Sequence, residues 1–490
     1  MKRLIVLLLS ILLTLPAFVG AATVADLEKQ LDELKAEIAE LSERTDATEM
    51  HTATDKISWY GDLRVKADSL NYRNIQWPVG AFMGGPASYN VKNNILYTTR
   101  LRLNMKAEVW DNVNFSGRLT MYKGWGDSTG VKIMDSFTGV TMDGTNGGNT
   151  TGDFLRVERA YFDWKEIGGS DFYLSIGRRP STYGPPTQYR ENELRGGTPS
   201  GHLVNFNFDG VTVGYKLGEV TGVDGQVVRF CYGQGYESES GNGELMGGAS
   251  LKDTHLGGFN VDVLDDGTNF VQLTLFRAQD ITDGFKSLMA DPFNGGVVTR
   301  MQATTNVGNM WIGGLGAARE EESGLKYFAS FGFNQSDPNG RVSSFPVMMG
   351  LSGTPYGGLL SEDGQDKETG YSVYVGVQIP TGDIGKFGLE YNYGSQYWFN
   401  FVQAADDAIA PKLATRGQVA ELYYILDINP NMFIKLAGLY YDYEYSGSGN
   451  PIGEPIKIKD ISPASAGMFH GMMPIVDEAY DANIALTVKF

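Results

Sequence analysis

Period-two alternation of apolar and polar positions dominates this chain, and it is cleanest at the end. Between residues 480 and 490, Tyr480, Ala482, Ile484, Leu486, Val488 and Phe490 alternate with Asp481, Asn483, Ala485, Thr487 and Lys489. Such a strand has one greasy face and one wet face. At barrel tilt its length suffices to cross a bilayer's hydrocarbon core. The pattern therefore predicts a spanning strand that closes a transmembrane β-barrel. At 57–68 the same alternation sets Ile57, Trp59, Leu63, Val65 and Ala67 against Tyr60, Asp62, Arg64, Lys66 and Asp68. At 95–109 it sets Ile95, Tyr97, Leu101, Leu103, Met105, Ala107 and Val109 against Arg100, Arg102, Asn104, Lys106 and Glu108. Strands of a soluble sandwich are usually about half this long.

Connections between these strands alternate in length. Short ones fall at 110–112, 166–169, 218–225, 265–268, 319–324, 380–385 and 427–431. Long ones fall at 69–94, 124–153, 179–202, 235–250, 279–306, 336–369, 399–413 and 446–479. Short turns on one rim and long loops on the other are the pattern of an outer-membrane barrel. Residues 203–217 read as one long strand bulged at Asp209 and Gly210, because two hairpin arms of half that length are too short to span. The count comes to about 16 strands, giving an all-β fold: a transmembrane antiparallel β-barrel over 57–490. Trp110, Trp125, Trp164, Tyr397 and Trp398 end strands, as interfacial girdles require.

Helical spacing is confined to the N-terminal region. Lys2 and Arg3 precede an apolar run and then Gly20, Ala21 and Ala22, which reads as a signal peptide over 1–21. Val24, Leu27, Leu31, Leu34, Ile38 and Leu41 form an a/d seam, so a short α-helical coiled coil is expected over 22–45, followed by a linker over 46–56. An exported chain with no other apolar stretch long enough for a helix is either soluble outside the cytoplasm or a barrel. The expected location is the bacterial outer membrane, with the coiled coil in the periplasm.

Composition adds exclusions. Removing Lys2 and Arg3 with the leader takes the formal charge from −18 to −20, which disfavours nucleic acid as a partner. The 63 glycines and 12% aromatic residues suit alternating strands with tight turns. Cys231 stands alone, and His51, His202, His255 and His470 are scattered, so the chain carries no zinc cluster, HExxH or haem-attachment motif. No cofactor, metal or catalytic residue is expected, and no enzyme. A barrel hydrolase is the least favoured class, since it needs a histidine set with its nucleophile.

Strands 1 to 4 turn basic side chains inward. The candidate pore-lining residues are Arg64, Lys66, Arg100, Arg102, Lys106, Arg118 and, around strand 4, Arg156 or Arg159. A barrel of this size leaves a water-filled channel unless something plugs it. The loop after strand 5 carries Arg178, Arg179, Tyr183, Arg190, Glu191, Glu193 and Arg195, stiffened by Pro180, Pro185 and Pro186, and is the candidate constriction loop. Overall acidity favours cations, while the arginine wall favours anions locally.

At these residues the chain resembles bacterial porins, in which an arginine-lined wall faces an acidic loop folded into the channel. The resemblance is carried by the run Ser175, Ile176, Gly177, Arg178, by residues 157–163, and by the terminal Phe490. The coiled coil together with residues 178–186 also looks like an uncharacterised family of porin-like outer-membrane proteins. The resemblance implies passive diffusion of small hydrophilic solutes or ions, a homo-oligomer with a trimer among the options, contact with outer-membrane lipid and lipopolysaccharide, and Phe490 as the signal read by the barrel-assembly machinery. The alternative is a structural barrel that tethers the outer membrane or houses a partner such as an electron-transfer cytochrome.

Overall fold

The computed structural model describes residues 29, 34–38, 57–76, 84–126, 155–238, 251–283, 287–291, 297–301, 303–343, 357–382, 384–402, 405–461 and 475–490. The expected signal peptide and linker lie outside them. Of the expected coiled coil, Lys29 and residues 34–38 are described and are helical, with Leu34 and Ile38 exposed one turn apart. Residues 1–58 and 59–490 form separate compact units.

Sixteen strands close the second unit into an antiparallel barrel. They are β1 (Ile57–Gln76), β2 (Ser88–Trp110), β3 (Val113–Gly124), β4 (Arg156–Trp164), β5 (Phe172–Arg179), β6 (Phe208–Lys216), β7 (Val227–Tyr236), β8 (Thr254–Asp265), β9 (Asn269–Thr282), β12 (Asn306–Glu320), β13 (Lys326–Pro338), β14 (Thr369–Pro380), β15 (Gly385–Gly394), β16 (Gly417–Asn429), β17 (Met432–Tyr443) and β18 (Glu478–Lys489). A two-stranded ribbon, β10 (Ser287–Asp291) with β11 (Val297–Met301), stands outside the wall between β9 and β12. β1 meets β18 in a register running from Asp62 opposite Lys489 to Arg73 opposite Glu478.

The alternation explains the wall. Along β13, Phe328, Ser330, Asn334 and Ser336 are buried, while Tyr327, Phe331 and Gln335 face out. Along β18, Asp481, Ala485 and Thr487 are buried and Ile484 and Leu486 are exposed. Large apolar side chains outside and charged or hydroxyl side chains inside invert the order of a soluble protein, so the outer surface suits hydrocarbon. Closure leaves no strand edge with unpaired backbone groups in that medium.

Three expectations are corrected. β1 and β2 run to Gln76 and from Ser88, so most of the expected loop at 69–94 is wall. The strand expected over 203–217 begins only at Phe208, with an even register to β5 and β7 at Asp209 and Gly210, so no bulge lies there. Residues 203–206 belong to the lumen instead. The loop expected over 279–306 carries the β10–β11 ribbon.

The lumen is filled rather than hollow on the β8–β15 side. Leu203, Val204, Phe206, Trp398, Phe401 and Met310 share one buried apolar cluster. Glycines in the wall make room for it. A Cβ on Gly332 would lie 2.7 Å from Trp398 and 2.8 Å from Leu203, and one on Gly394 would lie 2.7 Å from Trp398. Each large side chain seated this way stabilises the filling by about 1.5–3 kcal/mol.

Candidate constriction site

At Pro180 the chain leaves the barrel wall and does not return until Phe208. Its outgoing and returning legs lie so close that a Cβ on Gly184 would sit 1.8 Å from the Pro199 carbonyl, which only glycine permits. Between the legs, Tyr183 (φ 58°) and Asn192 (φ 54°) take left-handed backbone on either side of a single helical turn, Gln188–Glu191. Asn192 ends that turn, a role its short polar side chain suits. The returning leg is pinned by His202, whose two ring nitrogens lie 2.9 Å from the hydroxyls of Ser330 on β13 and Ser372 on β14.

The tip of this segment crosses the lumen. The Asn192 amide donates to Asp427 at 3.0 Å and its side-chain oxygen accepts from Lys386 at 2.8 Å. Glu191 and Glu193 thereby lie against the arginine wall. Arg100 bonds Glu193 at 3.1 Å and Asp62 at 3.2 Å, and lies 3.8 Å from Glu191. Arg102 donates to Asp62 at 2.7 Å and also to Glu193. Arg64 lies 3.6 Å from Glu191.

A second arm, residues 395–416 between β15 and β16, meets the first. Val204 and Phe401 pair as a parallel bridge, with Asn205 donating to the Phe401 carbonyl and Phe401 to that of Leu203. This arm brings Asp406 onto Arg64 and, at 3.0 Å, onto Arg100. It also brings Asp407 and Lys412. Arg190 bonds Asp407 and, at 3.0 Å, Glu421, and Lys412 joins Glu421 to Glu390. Asp406, Asp407 and Lys412 were not singled out in the sequence. The available signal was Trp398, Phe399, Phe401 and Val402 close together, which an exposed loop has no reason to carry. Trp398, expected at a strand end in an interfacial girdle, is instead fully buried in the lumen beyond the end of β15.

Burial pushes the carboxyls of Glu191, Glu193 and Asp406 up, but the cations outweigh it. Arg190, Lys435, Arg64 and Arg100 hold Glu191 well below the usual range. Arg102 and Arg100 lower Glu193, and Arg64, Arg100 and Lys66 lower Asp406. The ion pairs are thus fully charged at neutral pH. His202 has burial alone acting on it and is pushed down to about 3, so it is neutral.

The other residues singled out in the sequence are dispersed. Arg118 bonds Asn104 at 2.7 Å and Glu158 at 3.2 Å, and Arg159 donates to the carbonyls of Gly196 and Thr182 at 2.9 and 3.0 Å, tying the segment's legs to the wall. Arg179 faces the lumen and bonds Ser175 at 2.8 Å, Arg195 pairs with Asp265 at 2.6 Å, and Lys66 pairs with Asp68 at 2.6 Å. Tyr183 is buried with its ring under Arg102. Lys106 stands apart, exposed, over the ring of Tyr60. Arg178 is a correction: it points out of the barrel and pairs with outward-facing Asp209 at 3.0 Å, since lumen positions on β5 are Ser175 and Arg179.

Arg64, Arg100, Arg102 and Asp62 on the wall are all buried, covered by the arms at this level. On the side of the short turns a cavity of about 670 Å³ remains, with Gly196, Gly197 and Thr198 as its ceiling and Lys216, Arg229 and Asp262 among its walls. Beside the ion pairs lies a small cavity of about 30 Å³.

Among solved structures the chain is similar to OmpT, an outer-membrane protein of Vibrio cholerae, at 13% identity over 89% of this chain and 99% of that one, with a TM-score of 0.43. It is similar to OprB of Pseudomonas putida at 13% identity over 90% and 96%, TM-score 0.45. It is also similar to an anion-selective porin from Comamonas acidovorans at 10% identity over 89% and 99%, TM-score 0.45. No curated protein matches the chain. A family described as "Protein of unknown function (DUF3373)" matches residues 90–490.

Proposed function

The chain belongs to that family, and we propose that it is an outer-membrane channel passing small hydrophilic solutes or ions by diffusion, with passage limited by an ionic crossbar. The observation that carries this reading is the meeting of Glu191 and Glu193 with Arg100 and Arg102 across the lumen of a closed barrel whose outer face is apolar. Fixed charges of both signs at the narrowest level filter solutes by size and charge. The wide cavity below the crossbar is the vestibule on one side.

The reading assigns no reaction to the chain. His202 touches two serines as a hydrolase histidine would, but it is fully buried and neutral, so its bonds to Ser330 and Ser372 serve packing. Homo-oligomerisation and contact with lipopolysaccharide belong to the same proposal. Native mass spectrometry of detergent-extracted protein checks the oligomer.

Purified barrel in a planar bilayer is expected to give small, stepwise conductance. Glu191→Gln combined with Glu193→Gln uncovers Arg100 and Arg102, so conductance rises and the reversal potential across a salt gradient shifts toward anions. A folded barrel that stays silent in both forms overturns the channel. That outcome supports the second reading, a structural barrel, which the apolar filling around Trp398 and Phe401 favours.

A further inference from the structure

The 670 Å³ cavity below the crossbar sorts its charges into two kinds. One kind is paired and builds the frame. Arg195 meets Asp265 at 2.6 Å, and Arg229 meets Asp262 at 2.6 Å. Gln272 joins wall to ceiling, donating from Nε2 to Asp262 at 2.8 Å and to the Thr198 carbonyl at 3.0 Å. These bonds fix the cavity's shape before a solute arrives, which lowers the ordering cost of binding.

The other kind is unpaired. The remaining charged side chains of the lining are Asp171, Lys216 and Glu219, and none of them has an ion pair or a side-chain hydrogen bond among the described residues. Lys216 continues the lumen face of β6 after Thr212 and Gly214. Its backbone N–H donates to the Asp171 carbonyl at 3.3 Å, so the two side chains rise from adjacent strand ends. Glu219 follows on the helical turn Gly218–Thr221. Lys216 and Glu219 are exposed, and Asp171 is half-buried. One free ammonium and two free carboxylates thus face one space. Its volume is that of a small-molecule site.

We propose, building on the channel reading, that this vestibule binds zwitterionic solutes of the amino acid or short peptide class. Lys216 takes the solute carboxylate, and Asp171 with Glu219 takes its ammonium. A solute of one sign answers half of the site and meets the other half as repulsion. A sugar answers neither charge, and among the described residues lining the cavity there is no aromatic ring to stack on.

The test is saturation-transfer NMR at pH 7 on the full-length barrel in lipid nanodiscs, with empty nanodiscs as the blank and glycylglycine as the probe. Glycylglycinamide lacks the carboxylate, and N-acetylglycylglycine lacks the ammonium. Glycylglycine is expected to bind saturably, roughly fivefold to tenfold tighter than either capped form and than glucose. Lys216→Met removes its advantage over glycylglycinamide. Asp171→Asn combined with Glu219→Gln removes its advantage over N-acetylglycylglycine. These side chains have no partner to lose, so the barrel is expected to stay heat-modifiable; should one variant misfold, the other decides. Equal binding of all four probes overturns the site, and so does glycylglycine selectivity that survives both variants. The readout is binding rather than current: selective binding to a barrel silent in bilayers overturns the channel and leaves the site.

Discussion

Lys489, one residue from the end of the chain, donates from Nζ to the main-chain carbonyl of Asn192 at 3.0 Å. Asn192 is the tip of the crossbar, so the strand that closes the barrel also holds the segment that crosses its lumen. Beside it, Phe490 and Gly61 exchange both backbone hydrogen bonds, at 2.8 and 3.0 Å. β18 must sit on β1 before the crossbar tip has this anchor.

Lys489→Met separates the two roles. The backbone ladder from Asp62 to Arg73 remains, so the barrel is expected to stay closed and heat-modifiable on gels. The crossbar loses one charge-assisted bond, about 1.5 kcal/mol or more. Proteolysis within 188–196 is then expected to accelerate roughly tenfold, as the open population grows by that free energy. Unchanged cleavage means the tip is held by Lys386 and Asp427 alone.

Deleting Phe490 acts one step earlier. Its ring packs over Gly61, where a Cβ would lie 2.9 Å from it, and its backbone makes the last pair of the seam. The truncated chain is expected to lose most membrane-assembled barrel, measured by surface labelling and heat-modifiability. Any molecules that do assemble should conduct as wild type. Normal surface levels count against Phe490 as an assembly signal.

How much of this was legible in the sequence follows from where each residue sits. Lipid enforces alternation along the wall, so strand faces such as Leu63 against Arg64 read directly, and strand number followed from loop parity. The lumen obeys no period. Residues 203–206 alternate like a strand, yet Leu203 and Phe206 fill the lumen, Leu203 in the space that Gly314 and Gly332 leave. The second arm was invisible for a related reason: Asp406 finds Arg64 342 positions away, through a fold that local spacing does not encode. Arg178 and Arg179 show the sharpest limit. One residue of difference puts one outside and the other inside, and only the register decides which.

His202 makes the lumen filling sensitive to acid. Its native value of about 3 lies below the 6.5 of an unfolded histidine. The unfolded chain therefore takes up a proton that the folded chain refuses, so this contribution is intact above pH 6.5 and lost as pH falls toward 3. The slope is about 1.4 kcal/mol per pH unit. His202→Gln is expected to unfold more easily at pH 7.5, by about 1–2 kcal/mol for imperfect bonds to Ser330 and Ser372, but with a shallower decline between pH 6 and 4. Parallel slopes in urea titrations of the two proteins remove His202 as the cause.

Gly332→Leu tests whether the filling or the wall gives way. A Cβ at this position meets both the Trp398 ring and Leu203 inside 3 Å, and the sheet behind it is held by continuous pairing to β12 and β14. The ladder is the stiffer element, because moving it breaks hydrogen bonds on two strands, whereas the Trp398 ring is held by the bond from its Nε1 to the Leu413 carbonyl at 2.8 Å, within the second arm itself. The arm should therefore be displaced, at about 1–3 kcal/mol for overpacking. Displacement takes Asp406 off Arg64 and Arg100, since Asp406 lies on the same arm as Trp398. Tryptophan emission shifts to the red and bilayer conductance rises together. A destabilised barrel whose emission and conductance are both unchanged shows that the wall, not the arm, absorbs the added methylenes.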